Sequence, residues 1–156
     1  ESEPLGTGGA LRKALPLLST DCILAMNGDS YVDADLGGLA ASHRRRKAQL
    51  TILLTRVEDA ARYGGVDVGP DGSVLGFVEK GRSGPGLINA GVYVLGREGV
   101  QEIPAGRSVS LEREVLPARI GRGFYAQWGS YPFLDIGTPE SYRQAEAFFA
   151  KTESER

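Results

Sequence analysis

The stretch Cys22-Ile23-Leu24-Ala25-Met26-Asn27-Gly28-Asp29 decides the fold class of this chain. Five apolar residues run without a polar interruption and stop at a three-residue turn. A short continuous apolar run bounded by a turn is typical of a strand that is buried in a sheet. Ligands of open α/β sheets bind outside the carboxyl ends of such strands. The stretch therefore predicts a buried strand with polar, chemically useful side chains at its end.

The residues that follow this strand predict a βαβ unit. Asp35 can cap a helix over residues 36–46, and residues 49–57 form a second strand rich in Thr, Ile, Leu and Val. Strand, helix and strand in this order predict a sheet that is at least partly parallel. The turn Pro70-Asp71-Gly72-Ser73 then separates two apolar segments, 66–68 and 74–79, and predicts an antiparallel hairpin.

The remaining pattern predicts further strands and helices and no internal linker. Further strands are expected over residues 87–95, 124–128 and 132–136. Helices are expected over 10–18, from Leu111 after an N-cap at Ser110, and after Thr138-Pro139-Glu140. We expect one domain over residues 1–150 and a polar tail over 151–156.

Composition excludes several classes of protein. The chain has 156 residues and a net charge of −2, so nucleic acid is not an expected partner. No apolar run approaches the ~18 residues that a membrane span needs, so no membrane partner is expected. The single Cys22 excludes an intrachain disulfide and multi-cysteine metal sites, which favours a reducing cytoplasm. Glycine accounts for 22 residues, which suggests that backbone approaches other groups closely at several points.

The segment Leu5-Gly6-Thr7-Gly8-Gly9-Ala10-Leu11 predicts a glycine turn that opens a helix. Glycines there allow backbone N–H groups to meet a ligand, and a helix N-terminus favours anions. The dinucleotide-binding fingerprint does not fit, because Leu11 stands at its last glycine, and no Gly-Lys-Ser/Thr completes a P-loop. Taken alone, the segment is more often an ordinary tight turn.

Two aspartates follow apolar runs and are candidate ligands of a divalent cation. Asp29 ends the first strand and Asp135 lies near the end of the run 132–136. Carboxylates at two strand ends can share one Mg²⁺, which takes hard oxygen ligands together with waters and substrate phosphates. The alternatives are a turn residue bonded to its own backbone for Asp29 and a helix-cap carboxylate for Asp135.

Other polar residues have a functional and a structural interpretation. Lys80 can bind a phosphate, and Glu79 and Asn89 can bind sugar hydroxyls; the alternatives are a solvated strand-end pair and an ordinary edge residue. Asp33-Ala34-Asp35 resembles the Asp-x-Asp metal motif of glycosyltransferases, although helix capping is preferred for it. The basic run 43–47 is interpreted as a solvated helix end.

Seven motifs occur in a characteristic order. They are Leu5-Gly6-Thr7-Gly8-Gly9-Ala10, Asn27-Gly28-Asp29, Tyr63-Gly64, Phe77-Val78-Glu79-Lys80, Ile88-Asn89-Ala90-Gly91-Val92-Tyr93, Ser110-Leu111-Glu112 and Phe133-Leu134-Asp135-Ile136-Gly137-Thr138-Pro139-Glu140. This series resembles the sugar-1-phosphate nucleotidyltransferases, and most of all the heptose- and mannose-1-phosphate guanylyltransferases. The resemblance covers about residues 3 to 149.

The resemblance implies a fold and a reaction. The fold would be the family's Rossmann-like nucleotide-diphospho-sugar transferase α/β fold, with a mixed, mostly parallel sheet and helices on both faces. The reaction would be attack of a sugar 1-phosphate on the α-phosphorus of a nucleoside triphosphate, GTP being favoured. It would yield a nucleotide-sugar and pyrophosphate. The partners would be these two substrates.

The resemblance also implies roles for individual residues. The nucleotide would contact Gly6, Gly8, Gly9 and Asn27, and Mg²⁺ would be held by Asp29 and Asp135. The sugar phosphate would be bound by Gly64, Glu79, Lys80, Asn89 and Gly91. Asp29, Lys80 and Asp135 would be the catalytic residues.

One departure concerns the start of the chain. The family opens with a strand and the loop Gly-x-Gly-Thr-Arg-Leu, followed by a Pro-Lys pair, and neither occurs here. We therefore expect the chain to be the C-terminal part of the domain, lacking the first βαβ unit, and the isolated chain to be inactive. The segment would be lost or supplied by another polypeptide, with self-association as a further expectation. The alternatives to the enzyme are a nucleotide-sugar-dependent glycosyltransferase and a non-catalytic sugar-phosphate-binding domain.

Overall fold

The computed structural model describes residues 3–81 and 83–154 and is built on a four-stranded sheet. In spatial order its strands are β1 (Cys22–Met26), β6 (Gly86–Gly96), β3 (Leu50–Val57) and β7 (Phe124–Gly129). Two-stranded ribbons are formed by β2 (Ser30–Val32) with β8 (Phe133–Asp135) and by β4 (Gly65–Val68) with β5 (Val74–Val78). The helices are α1 (Gly6–Ala14), α2 (Leu36–Arg46), α3 (Arg97–Gln101), α4 (Leu116–Ala118), α5 (Pro139–Arg143) and α6 (Ala145–Ser154), with a 3₁₀ turn at Leu15–Leu17 and a π-type turn at Leu111–Val115.

The expectation of a mostly parallel sheet is wrong. Strand β6 lies between β1 and β3 and is antiparallel to both, and only β3 and β7 form a parallel pair. The βαβ unit is present, because β1 and β3 run in the same direction with α2 between them. These two strands do not pair, since the long β6 returns through the sheet and takes the place between them. The α/β class and the partly parallel character are confirmed.

Both faces of the sheet are buried under helices. Alternate residues of β3 and β6 enter two separate cores, as the two-residue period of a strand requires. One core contains Ile52 and Tyr93 with residues of α3 and α4, and the other contains Leu53 and Val92 with Leu39 of α2. Burial on both faces explains why these strands appear in the sequence as continuous apolar runs.

The predicted hairpin is present, and a helix holds its tip. The turn between β4 and β5 is stabilised by the Asp71 carboxylate, which accepts hydrogen bonds from the backbone N–H and the hydroxyl of Ser73. These bonds lower the pKa of Asp71. Arg46, at the end of α2, donates to the Asp71 carbonyl oxygen at 2.7 Å and lies over the Tyr125 ring. The hairpin is thereby fixed against the main sheet.

Three of the predicted helix starts are confirmed by their caps. The side chains of Asp35, Ser110 and Thr138 accept hydrogen bonds from the backbone N–H groups of Gly38, Arg113 and Ser141 respectively. These bonds satisfy donors that the first turn of a helix leaves without partners.

Two helix boundaries differ from expectation. Helix α1 begins at Gly6, not Ala10, so the glycines belong to the helix and do not precede it. Helix α6 continues to Ser154, past the boundary at 150, and residues 155 and 156 of the expected tail lie outside the described residues. Within the described ranges, no helix has both the length and the apolar character that crossing a membrane requires.

Candidate active site

Asp29 and Asp135 come together where β2 pairs with β8. Ser30 lies opposite Asp135 in this antiparallel pair, and the backbone N–H of Ile136 donates to the Asp29 carbonyl oxygen at 2.9 Å. Both carboxylates face Gly137. A Cβ placed on Gly137 would lie 2.9 Å from Asp135 Oδ1 and 3.9 Å from Asp29 Oδ2. The strand pairing therefore brings the two predicted acids to one place.

A guanidinium group lies beside this acidic pair. Arg62 Nη2 is 3.4 Å from Asp135 Oδ2, and its guanidinium carbon lies 5.3 Å from the centre of the Tyr63 ring. The Arg62 side chain is 48% exposed, so water screens the ion pair and its contribution to stability is small. The other oxygen of Asp135 accepts from the backbone N–H of Gly137. The sequence reasoning did not identify Arg62.

The acidic pair fits a cation that keeps part of its hydration shell. Among residues 3–81 and 83–154, no group of three or more His, Cys, Asp or Glu side chains is placed to hold a metal ion. Asp29 and Asp135 thus offer two carboxylates and no closed cage. This donor set suits Mg²⁺, which is usually bound by one or two carboxylates with waters and phosphate oxygens.

A cavity of about 860 Å³ adjoins Asp29. It lies between α1, the end of β1 and the π-type turn. Its lining residues include Thr7, Asn27, Asp29, Tyr93 and Glu112. The volume is in the range of pockets for small molecules and cofactors. Of the predicted nucleotide-binding residues, Asn27 lines this cavity directly.

The glycines of α1 make close contacts with another part of the chain. The backbone N–H groups of Gly8 and Gly9 both donate to the Val109 carbonyl oxygen, at 2.9 and 3.3 Å. A Cβ on Gly6 would lie 2.6 Å from the same oxygen. These glycines are needed because the segment around Val109 crosses the first turns of α1. Two donors at the helix N-terminus are used within the protein.

Glu79 and Lys80 follow β5. Glu79 lines a smaller cavity of about 320 Å³, whose lining also includes Asp67 and Pro85. Lys80 lies beside Gly64, because its Cγ would be 3.6 Å from a Cβ at that glycine. Gly64 has a φ of +76°, and a Cβ there would lie 2.8 Å from the Val78 carbonyl oxygen.

Asn89 has both ends of its amide bonded inside the protein. Its Nδ2 donates to the Tyr93 hydroxyl at 2.7 Å, and its Oδ1 accepts from the backbone N–H of Gly91 at 2.9 Å. One Nδ2 hydrogen remains for another acceptor. Gly91 has a φ of +74°, and a Cβ there would lie 2.6 Å from Ser30 Oγ.

A chain of hydrogen bonds connects Asn89 to α1. The Tyr93 hydroxyl donates to Glu112 Oε1 at 3.5 Å, and Thr7 Oγ1 donates to Glu112 Oε2 at 2.9 Å. Burial raises the pKa of Tyr93, which keeps its hydroxyl protonated. The sequence reasoning did not assign a site role to Thr7, Tyr93 or Glu112, because 105 residues separate Thr7 from Glu112.

The segment Asp33-Ala34-Asp35 leads directly into helix α2. Asp35 Oδ1 accepts from the backbone N–H of Gly38 at 2.8 Å, which makes Asp35 the N-cap of α2. The preferred interpretation of this motif as a cap is therefore confirmed.

The fold and this site define an α/β protein with a ligand cavity and an acidic pair at strand ends. Residues 1–152 match the family described as nucleotidyl transferase, and the chain belongs to that family. The resemblance drawn from the seven motifs is confirmed.

The relatives include guanylyltransferases for two sugars. The chain is 38% identical over 151 residues to a mannose-1-phosphate guanylyltransferase of Mycobacterium tuberculosis, covering 94% of this chain and 42% of that protein. It is 35% identical over 147 residues to a D-glycero-alpha-D-manno-heptose 1-phosphate guanylyltransferase of Aneurinibacillus thermoaerophilus, covering 94% and 64%.

The chain is also similar to proteins of known structure. The crystal structure of HddC from Yersinia pseudotuberculosis complexed with GMP-PN has a TM-score of 0.84 and 36% identity to this chain. That match covers 96% of this chain and 64% of HddC. The chain thus spans between 42% and 64% of the length of these relatives.

Proposed function

We propose that the intact protein transfers a guanylyl group from GTP to a sugar 1-phosphate of the mannose or heptose type. A phosphate oxygen of the sugar 1-phosphate attacks the α-phosphorus of GTP, pyrophosphate leaves, and a GDP-sugar forms. The single observation that carries the proposal is the meeting of Asp29 and Asp135 at Gly137, beside a cavity of about 860 Å³. The named relatives support guanine as the base and mannose or heptose as the sugar.

Asp29 and Asp135 are the residues that would hold Mg²⁺ in this proposal. When bound, the cation would neutralise charge on the phosphates and help to align them. The carboxylates themselves are held by the pairing of β2 with β8, since Asp135 ends one strand and Asp29 precedes the other.

Charged and polar residues beyond the acidic pair would bind the sugar phosphate. We propose that Lys80 binds its phosphate and that Glu79 and Asn89 bind sugar hydroxyls. Lys80 is supported by its place beside Gly64, where a positive φ and the nearby Val78 carbonyl oxygen exclude a larger residue. Asn89 is supported by its remaining Nδ2 hydrogen. Positioning and charge neutralisation then carry the chemistry, and no covalent intermediate is required.

The nucleotide would occupy the large cavity next to α1. Asn27, Thr7 and Glu112 supply polar groups on its wall. The cavity also adjoins Asp29, which supports a nucleotide position with its phosphates near the acidic pair. We propose that Gly6, Gly8 and Gly9 act by letting α1 lie close to Val109, which shapes the wall of the cavity.

The assembly and location of the protein are part of the same proposal. Leu24 and Met26 of β1 are about half exposed, at 46% and 52%, and β1 pairs with β6 on one side only among the described strands. Such an edge accepts a further strand, from the same protein or from a second copy. We also propose a cytoplasmic location, which the half-buried free thiol of Cys22 supports.

Product analysis tests the substrate assignment. The intact protein would be given Mg²⁺, each of the four common ribonucleoside triphosphates, and either mannose 1-phosphate or D-glycero-α-D-manno-heptose 1-phosphate. We expect a GDP-sugar with one of the two sugars. A nucleotide-sugar formed only from UTP, ATP or CTP would overturn the guanine assignment. Sugar-phosphate binding without any nucleotide-sugar would instead indicate a non-catalytic domain.

A further inference from the structure

Glu112 accepts hydrogen bonds from two different parts of the fold. Its Oε2 accepts from Thr7 Oγ1 of α1 at 2.9 Å and from Ser110 Oγ at 3.3 Å, and its Oε1 accepts from the Tyr93 hydroxyl of β6 at 3.5 Å. Thr7 Oγ1 in turn accepts from the backbone N–H of Leu111 at 2.8 Å. Glu112 therefore joins the first turns of α1 to β6, one of the two central strands of the sheet.

The chemistry of a carboxylate gives this chain of bonds one direction. An ionised carboxylate only accepts, so the single hydroxyl proton of Tyr93 points to Glu112. The lone pairs of the Tyr93 oxygen are then left for amide donors. The Asn89 nitrogen donates to them at 2.7 Å, and the Asn27 side chain bonds to the same hydroxyl. The Asn89 oxygen accepts from the Gly91 N–H, which can only donate, so the amide is held at both of its ends. Tyr93 is 1% exposed, so water does not replace a missing partner.

We propose that Glu112 is a positioning residue that holds the nitrogen end of the Asn89 amide in place through Tyr93 and couples it to α1. Glu112 acts through Tyr93 and does not touch Asn89. This inference rests on the proposed function. The hydrogen bonds through Glu112 would hold the Asn89 amide, which binds the sugar, and α1, which lines the nucleotide cavity, in one fixed arrangement. It would also leave the free Nδ2 hydrogen of Asn89 as a donor, so the sugar group it meets must be an acceptor.

Glu112→Gln is the informative variant, with Glu114→Gln as its matched control. Glutamine keeps the shape of Glu112 but can donate to Tyr93, which removes the fixed direction of the chain. Glu114 lies on the same turn, but its carboxylate accepts from the Ser110 N–H and from Arg107 instead of from Tyr93. Gln at position 114 retains an acceptor for the Ser110 N–H. Both variants are expected to fold, which thermal unfolding verifies.

The first measurement is made on the intact protein without ligands. The side-chain NH₂ signals of Asn89 are identified in a ¹⁵N–¹H correlation spectrum as those that Asn89→Ser removes. We expect Glu112→Gln and Tyr93→Phe to shift these signals and Glu114→Gln to leave them in place. Unchanged Asn89 signals in Glu112→Gln would overturn the inference, whatever the activity of the protein.

The second measurement separates the inference from the proposed function. In steady-state kinetics we expect Glu112→Gln to raise KM for the sugar 1-phosphate by about 10-fold or more, the size of a lost hydrogen bond to a charged group, with kcat changed less. Shifted Asn89 signals combined with an unchanged sugar KM would contradict the sugar-binding role of Asn89 and the coupling to it. An unchanged KM and unchanged signals would leave Glu112 with a structural role only.

Discussion

Arg62 and Asp135 form an ion pair at the mouth of the acidic site, with Arg62 Nη2 3.4 Å from Asp135 Oδ2. The same carboxylate uses its other oxygen to accept from the Gly137 N–H at 2.8 Å. Asp135 is therefore held from two sides, and Arg62 contacts one of the carboxylate oxygens that would bind a cation in the proposed site. In the proposed site, a divalent cation and Arg62 would compete for one oxygen atom of Asp135.

This competition predicts the behaviour of Arg62→Ala. The variant should bind Mn²⁺, a spectroscopic substitute for Mg²⁺, about 3- to 10-fold more tightly, because it removes a positive charge that lies 3.4 Å from the Asp135 carboxylate. Its stability should change little, since exposed ion pairs contribute on the order of 0–1 kcal/mol. Electron paramagnetic resonance measures the free Mn²⁺. Weaker Mn²⁺ binding in Arg62→Ala would mean that Arg62 supports the cation site and does not compete with it.

The acidic pair predicts a contrast between three aspartates. Asp29→Asn and Asp135→Asn should each weaken Mn²⁺ binding by 10-fold or more, because each removes one of the two charges that face Gly137. Asp35→Asn is the matched control, since asparagine is as good an N-cap as aspartate and Asp35 is bonded to Gly38. Titration of each variant with Mn²⁺ provides the comparison. Loss of binding in Asp35→Asn alone would favour the glycosyltransferase alternative.

His43 predicts a dependence of stability on pH. The imidazole is buried and its Nδ1 lies 2.9 Å from Thr51 Oγ1. Burial, helped by the nearby Arg44 charge, lowers the pKa of His43 below its ordinary value of 6.5. The unfolded chain therefore binds a proton more readily than the folded chain, so the free energy of unfolding falls as the pH decreases below about 6.5.

The variant His43→Gln isolates this effect. Glutamine does not titrate but can still bond to Thr51, so its free energy of unfolding should fall less steeply than that of the wild type between pH 7 and pH 5. Urea unfolding at several pH values supplies both curves. Parallel curves for the two proteins would show that other groups cause the acid dependence.

The close surroundings of Gly91 predict that even an alanine at this position lowers the stability of the fold considerably. Gly91→Ala places a Cβ 2.6 Å from Ser30 Oγ at a φ of +74°. Strain of this kind costs about 1–3 kcal/mol. Gly76→Ala is the control, because a Cβ there meets no atom within 4 Å. Equal urea midpoints for the two variants would contradict the close approach of β6 to Ser30.

Local sequence patterns predicted the individual strands and helices and the two acidic residues, Asp29 and Asp135. The apolar run before Asp29 and the helix start after Asp135 each predicted their own surroundings. Their meeting depends on the pairing of β2 with β8, where Ser30 lies opposite Asp135. The position of β6 between β1 and β3 could not be predicted, because the sequence of a strand that is buried on both faces does not indicate which strands pair with it.

Long-range contacts account for the other differences. Glycine disfavours a helix, so the sequence pattern predicts that α1 starts after its glycines. The close packing of Val109 against Gly8 and Gly9 outweighs that preference. Thr7 and Glu112 are separated by 105 residues, and Arg62 reaches Asp135 from a separation of 73 residues. No spacing rule connects residues so far apart.

Pyrophosphate release from GTP tests the central claim most directly. The intact wild-type protein, Asp135→Asn and Asp35→Asn would be compared with Mg²⁺ and mannose or heptose 1-phosphate, and with chelator as a further control. We predict release by the wild type and by Asp35→Asn, and a loss of at least 100-fold in Asp135→Asn or in chelator. Equal release by the wild type and Asp135→Asn, or no release by any of the three, would contradict the account.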